Sequence, residues 1–69
     1  MSKNQLNIGD KIRKLRLQKE FSQEKLARLA DVSLPTITKL EAGETSNPGI
    51  ETIRKIANAL EIKLEDLIK

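Results

Sequence analysis

The run Asp31-Val32-Ser33-Leu34-Pro35-Thr36-Ile37-Thr38-Lys39-Leu40 constrains this chain most, because its local propensities and its periodicity disagree. A proline followed by three β-branched residues leans towards an edge strand or a loop. Yet Leu34, Ile37 and Leu40 recur at a spacing of three, which is one face of a helix. Ser33 decides between the two. As an N-cap it puts Leu34 and Pro35 in the first helical turn, where the missing proline N–H had no intrahelical partner and the fixed φ suits a helix. Burial of Ile37 and Leu40 then outweighs the few tenths of a kcal/mol lost at each β-branched residue. The spacing predicts a helix over about 34–41.

The same reading runs along the rest of the chain. Ile8, Ile12 and Leu15 predict a helix over about 8–19 with Asn7 as its cap, and Lys and Arg cover its other faces. Ser22 is the next N-cap, with Gln23 and Glu24 in the first turn, Phe21 placed to staple the entry, and Leu26, Ala27 and Ala30 forming a stripe to about residue 30. Asp31 and Val32 leave about three residues before the helix capped by Ser33, which is a tight turn between helices. The polar segment Gly43–Gly49 precedes Ile50, Ile53, Ile56, Ala57 and Leu60, a fourth helix over about 50–60. Leu64, Leu67 and Ile68 suffice for a short fifth. With no internal repeat or low-complexity segment, the 69 residues read as one all-α domain over 1–69, near the size at which a single core just supports folding.

Composition removes several functions. There is no Cys and no His, so disulfides, thiolate nucleophiles and the usual transition-metal sites are excluded and no cofactor is expected. Without a Gly-rich phosphate loop, and with too few residues for a deep cleft, an enzyme is not expected either. No apolar run suits a signal peptide or a membrane span, so the expectation is a cytoplasmic protein with no membrane partner. The net charge is +3, unevenly placed: residues 1–43 hold nine Lys/Arg against five Asp/Glu, and residues 44–69 hold four against five. A polyanion would meet the first half. Phe21 is the only aromatic, which argues against single-stranded nucleic acid and for duplex DNA.

Five short helices with a tight turn between the second and third form the arrangement of a helix-turn-helix DNA-binding domain. The stretch FSQEKLARLADVSLPTITKLEAG resembles the phage-repressor and Cro type of that domain, λ-repressor-like, and the likeness extends from about Ile8 to Leu67. Ala27 falls where the family keeps a small residue between closely approaching helices, and Ile37 where a branched aliphatic locks the third helix onto the second. Leu26, Val32 and Leu40 complete that core, followed by Glu41 and Gly43. The helix-turn-helix then covers about 23–41, with a recognition helix over about 34–41. Three features depart from the pattern. Asp31 replaces the usual Gly of the turn, Leu34 and Pro35 replace polar base-readers, and Gly49 and Lys63 replace the Ser or Thr that often caps the fourth and fifth helices.

What the resemblance implies is a sequence-specific double-stranded DNA-binding transcriptional regulator, repressor-like, acting as a homodimer on a pseudo-palindromic site. It assigns Gln23 to a backbone phosphate beside the groove, and Ser33, Leu34 and Pro35 to the start of the reading helix. Thr36, Thr38 and Lys39 lie along its polar side. Lys39 reaches guanine O6/N7 or a phosphate, and Thr38 meets a base, a phosphate or only water. Leu34 and Pro35 offer apolar contact alone, as with thymine methyl groups. The loop residues Ser46 and Asn47 resemble positions whose backbone amides meet phosphate. Arg16 and Glu41 match a family pair between the first and third helices. Leu64, Leu67 and Ile68 serve either self-association or closure of the monomer core. The alternative function is an antitoxin or coactivator-like adaptor whose chief partner is a protein; a salt-dependent shift of duplex DNA distinguishes the two.

Overall fold

Helix starts are set by side-chain oxygens and one proline. The computed structural model describes residues 7–44 and 48–68, and its elements are α1 (Ile8–Gln18), α2 (Gln23–Ala30), α3 (Leu34–Glu41), α4 (Ile50–Ala59) and α5 (Leu64–Ile68). Asn7 caps α1 by accepting from the Asp10 N–H at 2.8 Å, Ser22 caps α2 by accepting from the Lys25 N–H at 2.9 Å, and Ser33 caps α3 through the Thr36 N–H at 3.4 Å. Each takes one of the four amide donors that a helix start leaves without an intrahelical partner. Pro35 sits in the first turn of α3 and begins the helix instead of breaking it. Gly49 precedes α4 without a side-chain cap bond, as its lack of a side chain requires.

Helix ends share one device. After α1, the Phe21 N–H reaches the Arg16 carbonyl at 3.0 Å and the Glu20 N–H reaches that of Leu17 at 3.0 Å; Glu20 is left-handed at φ 60°. The same pair of bonds closes α2 around Asp31 (φ 59°), α3 around Gly43 (φ 76°) and α4 around Glu61 (φ 61°). These are Schellman ends, which normally place glycine at the left-handed position. Only Gly43 obeys that preference here, and the three acidic residues carry the strain. The turn between α2 and α3 therefore closes with Asp31 in a left-handed conformation that glycine would adopt without strain.

Among the described residues the five helices enclose one core of Ile12, Leu26, Ala27, Ala30, Ile37, Leu40, Ile53, Ile56, Ala57, Leu60 and Leu67. Helix α2 packs on α3 and α4, α1 on α3 and α5, and α4 on α5. Burying a side chain such as Ile37 or Leu60, both fully removed from solvent, is worth about 1.5–3 kcal/mol each. Leu67 closes this core, Leu64 packs against it, and Ile68 is exposed. Close packing also explains Gly9, which sequence reasoning passed over: a Cβ at that position would overlap the carbonyl group of Leu40 at the end of α3. Glycine there lets the backbones of α1 and α3 touch.

Candidate nucleic-acid interface

Helix α3 has two faces built on the same spacing. Ile37, Leu40 and Glu41 stand at i, i+3 and i+4 and turn inwards; Pro35, Thr38 and Lys39 repeat that spacing on the opposite side. The inner triad belongs to the core and its polar edge. The outer one faces solvent, with Pro35 and Lys39 exposed and Thr38 partly so.

The inner face is tied down at its C-terminal end. Arg16 Nε donates to Glu41 Oε2 at 2.7 Å and Arg16 Nη2 to Glu41 Oε1 at 3.0 Å, a two-pronged contact between α1 and α3. Arg16 Nη1 donates to the Phe21 carbonyl at 2.7 Å, so one guanidinium joins α1, the turn before α2, and α3. The side chains are only 10% and 4% exposed, which separates this pair from a solvated surface contact. By contrast, Lys19 and Glu61 meet at 3.3 Å with the glutamate side chain 79% exposed, a contact that water and salt screen almost completely.

Gln23 joins the buried pair. Its Nε2 donates to Glu41 Oε1 at 3.1 Å, and the residue is partly buried at the first position of α2. Only the amide nitrogen can face a carboxylate, so Glu41 fixes which way the Gln23 side chain is turned. One N–H of that amide is taken and one is left. Sequence reasoning singled out Gln23 without this bond, because nothing in the spacing of residues 23 and 41 announces that their side chains meet.

At the other end of α3 the side chains are open. Leu34 is 36% exposed. Ser33 Oγ and Thr36 Oγ1 lie 2.8 Å apart and share one hydrogen bond. The Thr38 hydroxyl donates to the Pro35 carbonyl at 3.1 Å. Ser33, Pro35, Thr36 and Lys39 border a shallow depression of about 310 Å³ whose far wall is Pro48 and Thr52 at the start of α4. The structure thus gathers Ser33, Leu34, Pro35, Thr36, Thr38 and Lys39 on or beside one exposed helix face, and sets Gln23 apart with Arg16 and Glu41. Ser46 and Asn47 lie outside the described residues. Among the described residues no group of three or more His, Cys, Asp or Glu is placed to hold a metal ion. No helix among them is long and apolar enough to cross a membrane.

The helix-turn-helix family model matches residues 12–67. The control protein C.BamHI of Bacillus amyloliquefaciens is 41% identical over 64 residues, which cover 91% of this chain and 78% of that protein. Against further curated regulators from Deinococcus deserti and Bacillus subtilis, 30–35% identical, the chain spans only 40–49% of their length. Among solved structures, the SinR protein in its complex with the SinI protein superposes with a TM-score of 0.86 at 27% identity, covering 90% of this chain and 60% of that one. The P22 c2 repressor bound to a synthetic operator gives 0.82 at 28% identity, covering 94% and 97%. Taken with the five helices, the Ser22 and Ser33 caps and the tight turn at Asp31, these matches are decisive: the chain belongs to the helix-turn-helix family of DNA-binding regulators, in its phage-repressor and Cro branch.

Proposed function

We propose that this protein regulates transcription, in the manner of a small repressor, by laying the exposed face of α3 in the major groove of a duplex site. It acts by occupancy and not by catalysis, in the cytoplasm and without a cofactor, as one domain over 1–69. The observation that carries the reading is the division of α3, whose inner side is locked to α1 and α2 while Leu34, Pro35 and Lys39 are exposed and Thr38 partly so. A helix presented rigidly, with its first turn open, is what groove recognition requires. The P22 c2 repressor, of the same fold and bound to operator DNA, supports it.

Within this reading Lys39 donates to guanine O6/N7 or to a phosphate, and Leu34 and Pro35 make apolar contact with thymine methyl groups. Gln23 places its remaining side-chain N–H and the start of α2 against a phosphate. Ser33 and Thr36 supply a hydroxyl at the groove edge, and the Ser46–Asn47 loop meets the backbone beside it. A homodimer would set two such helices about 34–36 Å apart, one turn of duplex, on a pseudo-palindromic site. Likeness to SinR, whose complex contains the SinI protein, supports a protein partner in addition to DNA.

The test is selection of bound sites from a random duplex library, followed by affinity measurements at several salt concentrations. A preferred site whose log affinity falls linearly with log salt is expected. The absence of any salt-dependent binding to duplex DNA would leave the adaptor reading in its place.

A further inference from the structure

Thr38 is the one polar residue on the outer face of α3 that is short enough for its hydrogen to be committed to the helix itself. A threonine hydroxyl has a single hydrogen and two lone pairs. In Thr38 that hydrogen is given to the Pro35 carbonyl at 3.1 Å, so what the side chain presents outwards is a methyl group and an acceptor oxygen. Ser33 and Thr36 differ: their two hydroxyls share one bond, and one hydrogen remains to donate.

We propose that Thr38 is a specificity-determining residue that accepts a hydrogen bond from an exocyclic amine at the floor of the major groove, adenine N6 or cytosine N4. This rests on α3 lying in the groove as proposed above. The argument is one of complementarity. A phosphate oxygen only accepts, as do guanine O6, guanine N7 and thymine O4, so pairing with any of them would cost Thr38 its bond to the Pro35 carbonyl, whereas pairing with an amine keeps it. Adenine N6 and cytosine N4 are the two donors that the groove edge offers. Lys39 lies beside Thr38 on the same face and is a donor only, so the two side chains select opposite chemistry: Lys39 an acceptor edge, Thr38 an amine. Thr38 therefore contributes discrimination and no sequence-independent affinity.

The experiment compares wild type with Thr38→Val, which keeps the β-branch and the methyl but has no acceptor, on three kinds of duplex. These are the site selected by the wild type, a scrambled duplex, and a set in which each adenine of the site is replaced in turn by purine, lacking N6, or each cytosine by 2-pyrimidinone, lacking N4. Thr38→Val should lose about three- to tenfold on the selected site, the worth of one hydrogen bond, and nothing on the scrambled duplex. One analogue should cost the wild type that same factor and cost Thr38→Val nothing, and its identity assigns the amine to adenine or to cytosine. Equal weakening on both duplexes would make Thr38 a phosphate ligand and overturn the proposal. So would an unchanged affinity, or the absence of any analogue whose effect depends on Thr38. A wild-type chain that selects no site would instead sink the groove reading of α3 itself.

Discussion

The two ends of α3 differ in what holds them. At its C-terminal end, Glu41 accepts from Arg16 Nε, Arg16 Nη2 and Gln23 Nε2, Gly9 brings the α1 backbone against Leu40, and Gly43 closes the helix without steric cost. At its N-terminal end the helix depends on the Ser33 cap and the fixed φ of Pro35, and the side chains there point to solvent. One end is tied to two other helices, α1 and α2, so that the other end needs almost no support of its own. If the proposed reading holds, stability and recognition rest on different residues of one eight-residue helix, which makes them separable by mutation.

The largest effect should come from cutting the anchored end. Glu41→Ala leaves the Arg16 guanidinium buried with only the Phe21 carbonyl as partner, and should cost about 3–5 kcal/mol in denaturant unfolding. Removing Arg16 as well should add much less than Arg16→Ala costs alone. Strict additivity would mean that the two charges act independently despite their distance.

Next in size is Gly9→Ala. The added methyl meets a backbone carbonyl and not the tip of a flexible side chain, so α1 and α3 must move apart, at about 1–3 kcal/mol or more. An unchanged melting temperature would show that the two helices do not approach as closely as described.

Gly9 also marks where reading the sequence stops. The helices themselves were legible: Asn7, Ser22 and Ser33 announce three of their starts, Pro35 is decisive once it is placed in a first turn, and the apolar spacings give the inward faces. Boundaries moved by one residue at the ends of α1 and α4, where the chain passes into its Schellman closure. A glycine in the first turn of a helix, however, carries no local sign of what approaches it, because the approach is made by a carbonyl far along the chain. The Gln23–Glu41 bond was hidden for the same reason. Resemblance pointed to Gln23 and to Glu41 separately, and only packing of α2 against α3 brings them to 3.1 Å. Leu64, Leu67 and Ile68 read alike as one stripe, yet a five-residue helix turns only Leu67 fully into the core.

A smaller change sharpens the contrast from the side of the turn. Asp31 holds φ 59° before the reading helix, so Asp31→Gly should raise stability by about 0.5–1 kcal/mol and leave the discrimination between duplexes as it was. A loss of discrimination in this variant would place part of the readout in the turn.

The central claim, that the outer face of α3 reads DNA while its inner face and Glu41 only hold it, is tested most directly by one ratio: affinity for the selected duplex over affinity for a scrambled one. Lys39→Ala removes an exposed side chain and should melt within about 0.5 kcal/mol of the parent, and Leu34→Ala, which removes a partly buried one, within about 1–2 kcal/mol. Lys39→Ala should lower the ratio by about 1–3 kcal/mol and relax preference at one position, and Leu34→Ala should lower it at a thymine. If both variants melt within these bounds and both keep the parental ratio, α3 is not the reading element and the account is wrong.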